Sequence, residues 1–177
     1  SHKNVWYSFN ADYIDPYSLE YDGNIYFVEP DESIKWGRIK KNTWRDLKTE
    51  FDWTWVRDTL YIFSSTDPNT KYSGVEMAQR EYCINLNNKA FITINGLELA
   101  YSGFYGITEG FPRLNVSGLV IKNCHIHHIG IKEYGYGVEA WHSNTLIQNN
   151  VIHDSGRRNV SLNIYGGDCQ VSNIVVE

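Results

Sequence analysis

An all-β solenoid of stacked coils is the fold this sequence predicts, and two observations carry the prediction. First, three stretches repeat one phrase without a gap: Ile94 to Gly103, Ile121 to Gly130 and Ile147 to Gly156, at offsets of 27 and 26 residues. A fourth copy begins at Asn173-Ile174-Val175-Val176-Glu177. Second, inward positions recur within each copy. Ile92, Ile94, Leu97 and Leu99 take the places of Leu119, Ile121, Cys124 and Ile126, and then of Thr145, Ile147, Asn150 and Ile152. Within each strand these alternate with residues expected to face solvent, the period-two pattern of a strand with one buried side. The alignment therefore states which side chains lie over one another.

Between the inward pairs sit corners: Asn95-Gly96, Lys122-Asn123 and Gln148-Asn149. Asparagine tolerates left-handed backbone, and its amide can bond its neighbour in the next coil. A second strand family follows, in Tyr105-Gly106-Ile107, Tyr136 to Ala140 and Asn159 to Leu162, with Tyr82 to Leu86 joining it. Residues 1–70 have a different texture and are expected to form an aromatic-rich β cap, with coils over 71–177. In the cap, an Asp22-Gly23 turn feeds a strand at Ile25 to Val28, and Thr43 caps a short helical turn at Trp44. Trp53 to Phe63 reads as a hairpin around Arg57-Asp58, and Ser64 to Tyr72 as a loop by composition.

Composition narrows the function. The net charge of −5 argues against nucleic acid, which would need a basic face. No apolar run approaches the roughly 18 residues of a membrane span. Aromatic residues reach 15%, a large supply of flat, half-polar surface of the kind that suits sugar rings. Cys83, Cys124 and Cys169 form neither a disulfide framework nor a metal-ligand spacing, and Cys124 is expected as a buried thiol.

The stretches Gly118 to Ile126 and Asn144 to Asp154 resemble the repeats of right-handed parallel β-helix proteins, the pectate-lyase-like superfamily. The cap hairpin is similar to the N-terminal part of bacterial members from carbohydrate-degrading gene sets. The resemblance implies an extracellular or cell-surface protein. It also implies a polysaccharide partner and an activity as lyase, epimerase or glycoside hydrolase in an outer groove. A non-catalytic polysaccharide-binding, adhesive or structural solenoid is the alternative, since one fold hosts many sites.

In the aligned register His127 lies over His153, and His128 over Asp154, with His125 beside them. Coils lie about 4.8 Å apart, so these groups reach one another, and a histidine beside a carboxylate acts as acid or base near neutral pH. His128, His153 and Asp154 are thus catalytic candidates, with His127 as a substrate contact. Arg157 and Arg158 suit the carboxylates of an acidic polysaccharide. Glu139, in an outward column with Thr108 and Ser161, is a further catalytic candidate, since glycoside cleavage needs two acids about 5–9 Å apart. Glu109 or Asp154 would be its partner, with Trp141 and His142 as a stacking platform. Each also has a plain structural reading, because stacked identical residues decorate solenoids and satisfy loops.

No cofactor is expected, and no acidic cluster of the kind that holds Ca²⁺ is visible. Asp67-Pro68-Asn69 shares only two residues with the Asp-Pro-His triplet of alginate epimerases. Arg38-Ile39-Lys40 spells a polygalacturonase triplet, but in the cap. Asn115-Val116-Ser117 and Asn159-Val160-Ser161 match glycosylation sequons. An open final coil predicts end-to-end self-association.

Overall fold

The computed structural model describes residues 4–9, 24–40, 43–56, 59–112, 114, 117–131, 135–162 and 168–176. Among the described residues, strands hold 54% and helix 5%. Two compact units form, Ser1–Gln79 and Arg80–Glu177. The Asp22-Gly23 and Arg57-Asp58 turns lie outside the described residues, as do Asn115 and Val116.

The N-terminal unit contains β1 (Val5–Phe9), β2 (Ile25–Val28), β3 (Ile34–Trp36), β4 (Arg38–Ile39), β5 (Asp52–Val56), β6 (Thr59–Phe63) and β7 (Gly74–Met77). These make two sheets, ordered β1-β6-β5-β4 and β3-β2-β7. The hairpin is β5 and β6, with Trp53 opposite Ile62 and Trp55 opposite Leu60. Ile25, Phe27, Trp53, Trp55, Ile62 and Tyr72 form the core of this unit. It runs past residue 70 because β7 pairs with β2. Thr43 Oγ1 accepts from the Arg45 amide and caps a single 3₁₀ turn, Trp44–Asp46. Ser64 to Tyr72 is not wholly loop. Asp67 caps one helical turn, α1 (Pro68–Lys71), because its carboxylate accepts from Asn69 N at 2.9 Å and proline suits the first helical position. Arg38 and Lys40 both pair with the buried Asp52, so the Arg38-Ile39-Lys40 triplet has a structural task here.

The C-terminal unit is a β-solenoid of about three turns. Its strands are β8 (Tyr82–Asn85), β9 (Ile92–Asn95), β10 (Glu98–Ala100), β11 (Tyr105–Thr108), β12 (Leu119–Lys122), β13 (His125–His127), β14 (Tyr136–Ala140), β15 (Leu146–Ile152), β16 (Arg158–Leu162) and β17 (Gln170–Val175). One parallel sheet runs β16-β14-β11-β8; the other joins β10, β13, β15, β12 and β9, with β17 along β15. Ile94 pairs with Ile121, Ile121 with Ile147, and Ile147 with Val171. The repeat alignment is thus the observed register. Ile121, Ile126, Ile147 and Ile152 are fully buried, each worth roughly 1.5–3 kcal/mol relative to exposure. All three cysteines are free thiols, and Cys124 is buried.

Left-handed residues recur in register at three corners of the coil. One set is Gly96, Asn123, Asn149 and Asn173; the second is Phe91, Gly118 and Asn144; the third is Tyr101, His128 and Asp154. At the first corner Asn123 Nδ2 donates to Asn95 Oδ1 at 2.8 Å, and Asn173 Nδ2 to Asn149 Oδ1 at 3.0 Å. Asn150 replaces an apolar inward residue without leaving a buried polar group unpaired. Its Oδ1 accepts from Cys124 N at 2.8 Å, and its Nδ2 donates to Ile121 O at 3.0 Å.

Candidate functional site

Three neighbouring strands build a histidine cluster at the end of one solenoid sheet. Parallel pairing sets Glu98 beside His125 and Ala100 beside His127, while His125 pairs with Val151 and Ile126 with Ile152. His153 therefore stands next to His127. Because Ile126 points into the core, His125 and His127 on either side of it point away from the core. His125 is half-buried and His127 buried, so His127 offers little surface as the expected substrate contact. One residue on, the chain turns left-handed at Tyr101 (φ 62°), His128 (φ 53°) and Asp154 (φ 48°), which stacks these three in a further column. Aspartate and histidine enter this backbone more readily than most residues, so of the three only Tyr101 is unusual there.

The side chains form one connected network. His127 and His153 stack with centroids 5.3 Å apart and planes at 7°. His125 Nε2 lies 2.8 Å from His153 Nε2, and His153 Nδ1 lies 2.8 Å from Asp154 Oδ2. His127 Nδ1 is 2.7 Å from His128 Nδ1, and His127 Nε2 is 3.1 Å from Glu98 Oε1. His128 Nε2 faces Asp154 Oδ2 at 3.9 Å, and the Tyr101 ring packs on His127 and His128.

With all four imidazoles neutral, one proton assignment satisfies the four hydrogen bonds of 2.7–3.1 Å. His153 Nδ1–H donates to Asp154, so His125 Nε2–H donates to the His153 Nε2 lone pair. His127 Nε2–H donates to Glu98, so His128 Nδ1–H donates to His127 Nδ1. His128 Nε2 is then left carrying a lone pair, the property a general base needs. Burial pulls the His128 pKa below its ordinary value; Asp154 opposes this, and the three other imidazoles add to it.

The remaining candidates lie elsewhere. Glu139 does pair with Thr108 and Ser161, but all three are buried, Glu139 at 5% exposure. Pointing away from the coil core is not the same as facing water. His142 is also buried, at 2% exposure, with Nδ1 2.6 Å from Glu109 Oε2 and Nε2 3.2 Å from Lys89 O. Glu109 Oε2 also accepts from Trp141 N at 2.9 Å, and the Trp141 residue is half-buried. Neither Glu139 nor His142 presents surface to a polymer in this arrangement, and Glu109 is committed to holding His142. Arg157 and Arg158 are exposed; Arg157 donates to the Tyr136 hydroxyl at 2.7 Å, and Arg158 reaches Ser161 Oγ at 3.5 Å.

Sequence reasoning missed Glu98 and Tyr101. The signal was present, since the same alignment sets Glu98 in the column of His125 and Tyr101 in that of His128. Comparison with known protein families, curated proteins and solved structures finds no match.

Proposed function

We propose that the solenoid acts on an acidic polysaccharide by proton transfer, as a lyase or epimerase working at the carbon beside a uronate carboxylate. The observation that supports this is the histidine–carboxylate network, in which His128 Nδ1 lies 2.7 Å from His127 Nδ1 and His153 is held by Asp154. In either reaction a base removes the proton next to the carboxylate, and the electron pair delocalises towards it. In elimination the glycosidic oxygen on the adjacent carbon then leaves; in epimerisation a proton returns to the opposite face. Arg157 and Arg158 supply positive charge for the sugar carboxylate. Hydrolysis is less favoured, because Glu139 and Glu109 are buried, which leaves Asp154 as the one exposed acid of the three candidates.

A second reading, polysaccharide binding without turnover, has its own support. The N-terminal unit holds a cavity of about 480 Å³ lined by Trp6, Tyr7, Leu60, Pro68, Tyr72 and Met77, and its exposed Trp6 and Tyr7 suit sugar stacking. The test is a panel of uronate-containing polysaccharides, followed by absorbance of unsaturated products and by sugar composition. Turnover that falls at least about 100-fold in His128→Ala is expected, as for loss of a general base. Binding without product on every polymer selects the second reading, and turnover intact in a His128→Ala/His153→Ala variant rejects the site.

A further inference from the structure

We propose that Glu98, His125 and His127 form a site for a zinc-class divalent cation on the outer side of the solenoid. One donor atom from each lies within 4.8 Å of the other two. Zinc sits about 2.0–2.2 Å from nitrogen and oxygen donors, so tetrahedral donors stand roughly 3–3.5 Å apart. Glu98 Oε1 and His127 Nε2 are 3.1 Å apart. His153 Nε2, 2.8 Å from His125 Nε2, offers a fourth donor. Calcium asks for six to eight oxygens, whereas imidazoles with one carboxylate suit zinc and its transition-metal neighbours.

The surrounding contacts favour the same choice. Metal-binding histidines characteristically have their second nitrogen held by a neighbour, which fixes the direction of the first. His127 Nδ1 is held by His128, and His153 Nδ1 by Asp154. In both cases Nε2 is the nitrogen turned towards the cluster. Loading moves protons without net loss from the imidazoles. A cation on His127 Nε2 sends that proton to Nδ1, which then donates to His128 Nδ1, and the His128 proton moves to Nε2. His125 likewise carries its proton on Nδ1. Glu98, His125 and His127 sit on paired strands, with His153 one residue past the end of β15, which limits the reorganisation that binding needs.

This site is tested separately from the polysaccharide reading, although a loaded cation puts a proton on His128 Nε2 and so should suppress the proton transfer proposed there. A silent polymer screen leaves it intact, and failure to bind zinc leaves that reading intact. The experiment takes the full chain, stripped with chelator, and titrates it calorimetrically with zinc chloride and, separately, calcium chloride. Cobalt(II) uptake is followed by its visible absorption. One zinc ion per chain is expected, with calcium binding far weaker and cobalt giving tetrahedral-type bands. Glu98→Gln and His125→Asn should each weaken zinc binding by more than about tenfold, the lower end of the loss seen even for outer-shell partners. Glu98 is well exposed, so its variant should melt with the native protein and keep the test valid if the histidine variant does not fold. Absence of zinc uptake overturns the proposal. So does uptake unchanged in both variants, or calcium binding as tight as zinc.

Discussion

His127 and His153 lie ring over ring, with planes 7° apart, although 26 residues separate them along the chain. Neither strand could make that contact alone. It exists because each coil places a strand of equal phase over the last, so the candidate site is a by-product of solenoid register. Its chemistry depends on the core columns behind it.

Ile121 is the middle of one such column, fully buried between Ile94 and Ile147. Ile121→Ala should cost about 2–5 kcal/mol, the range for large-to-small changes in a core. Val171 continues the same column but is 48% exposed, so Val171→Ala should cost well under half as much. Urea denaturation of the two variants checks the difference.

Asn150 should tolerate neither an apolar nor a small replacement. Asn150→Leu keeps bulk but strips the partners from Cys124 N and Ile121 O, and each orphaned buried group costs about 1–3 kcal/mol. Leucine, the residue type expected at an inward position, should therefore destabilise the protein. A melting temperature equal to or above the native one would contradict this.

Gly137 lies between coils, where a Cβ would come within 2.6 Å of Asn159 O and 2.7 Å of Ile152 Cγ2. The first neighbour is backbone on the adjacent strand, so it cannot move without opening the sheet. Gly137→Ala should lower the melting temperature sharply or abolish soluble expression, whereas Gly74→Ala, whose nearest neighbour is 4.0 Å away, should be mild.

Acid should weaken the N-terminal unit through Glu50. Burial raises its pKa, but hydrogen bonds from Lys71, Tyr72 and Ser65 outweigh that and hold it at about 2, below the ordinary 4.5. A folded-state pKa below the unfolded one stabilises the ionised form. That stability is complete above about pH 4.5 and is lost as pH falls towards 2. Glu50→Gln should therefore flatten the pH dependence of unfolding in this window. Tryptophan fluorescence can follow it, since five of the six tryptophans lie in this unit.

Val171, half-exposed at the end of a core column, also gives the expected self-association a test. Sedimentation of this chain should show concentration-dependent assembly, which Val171→Lys reduces.

The solenoid was legible in the sequence because register is backbone geometry. Period two fixes which residues face in, and the repeat length fixes what lies above them. Hence the Ile94–Ile121–Ile147 column and the His127–His153 stack follow from alignment alone. The surroundings of an outward residue do not follow, because they depend on which other segments pack there. Glu139 and His142 are buried for that reason, which no local pattern announces. The turn at Pro68–Lys71 was missed differently: Asp67 as cap and Pro68 at the first position are a helix-start signal, masked by a loop-like composition. Glu98 looked like an ordinary outward strand residue until the neighbouring coil supplied His127.

Methyl NOE spectroscopy on the isoleucine-labelled native chain reads the stacking itself. Strong cross-peaks should join Ile121 to both Ile94 and Ile147, the neighbours about 4.8 Å away along the sheet, with a far weaker one between Ile94 and Ile147. Ile121 methyls that contact neither partner would show that the coils are not superposed, and the histidine cluster would fall with them.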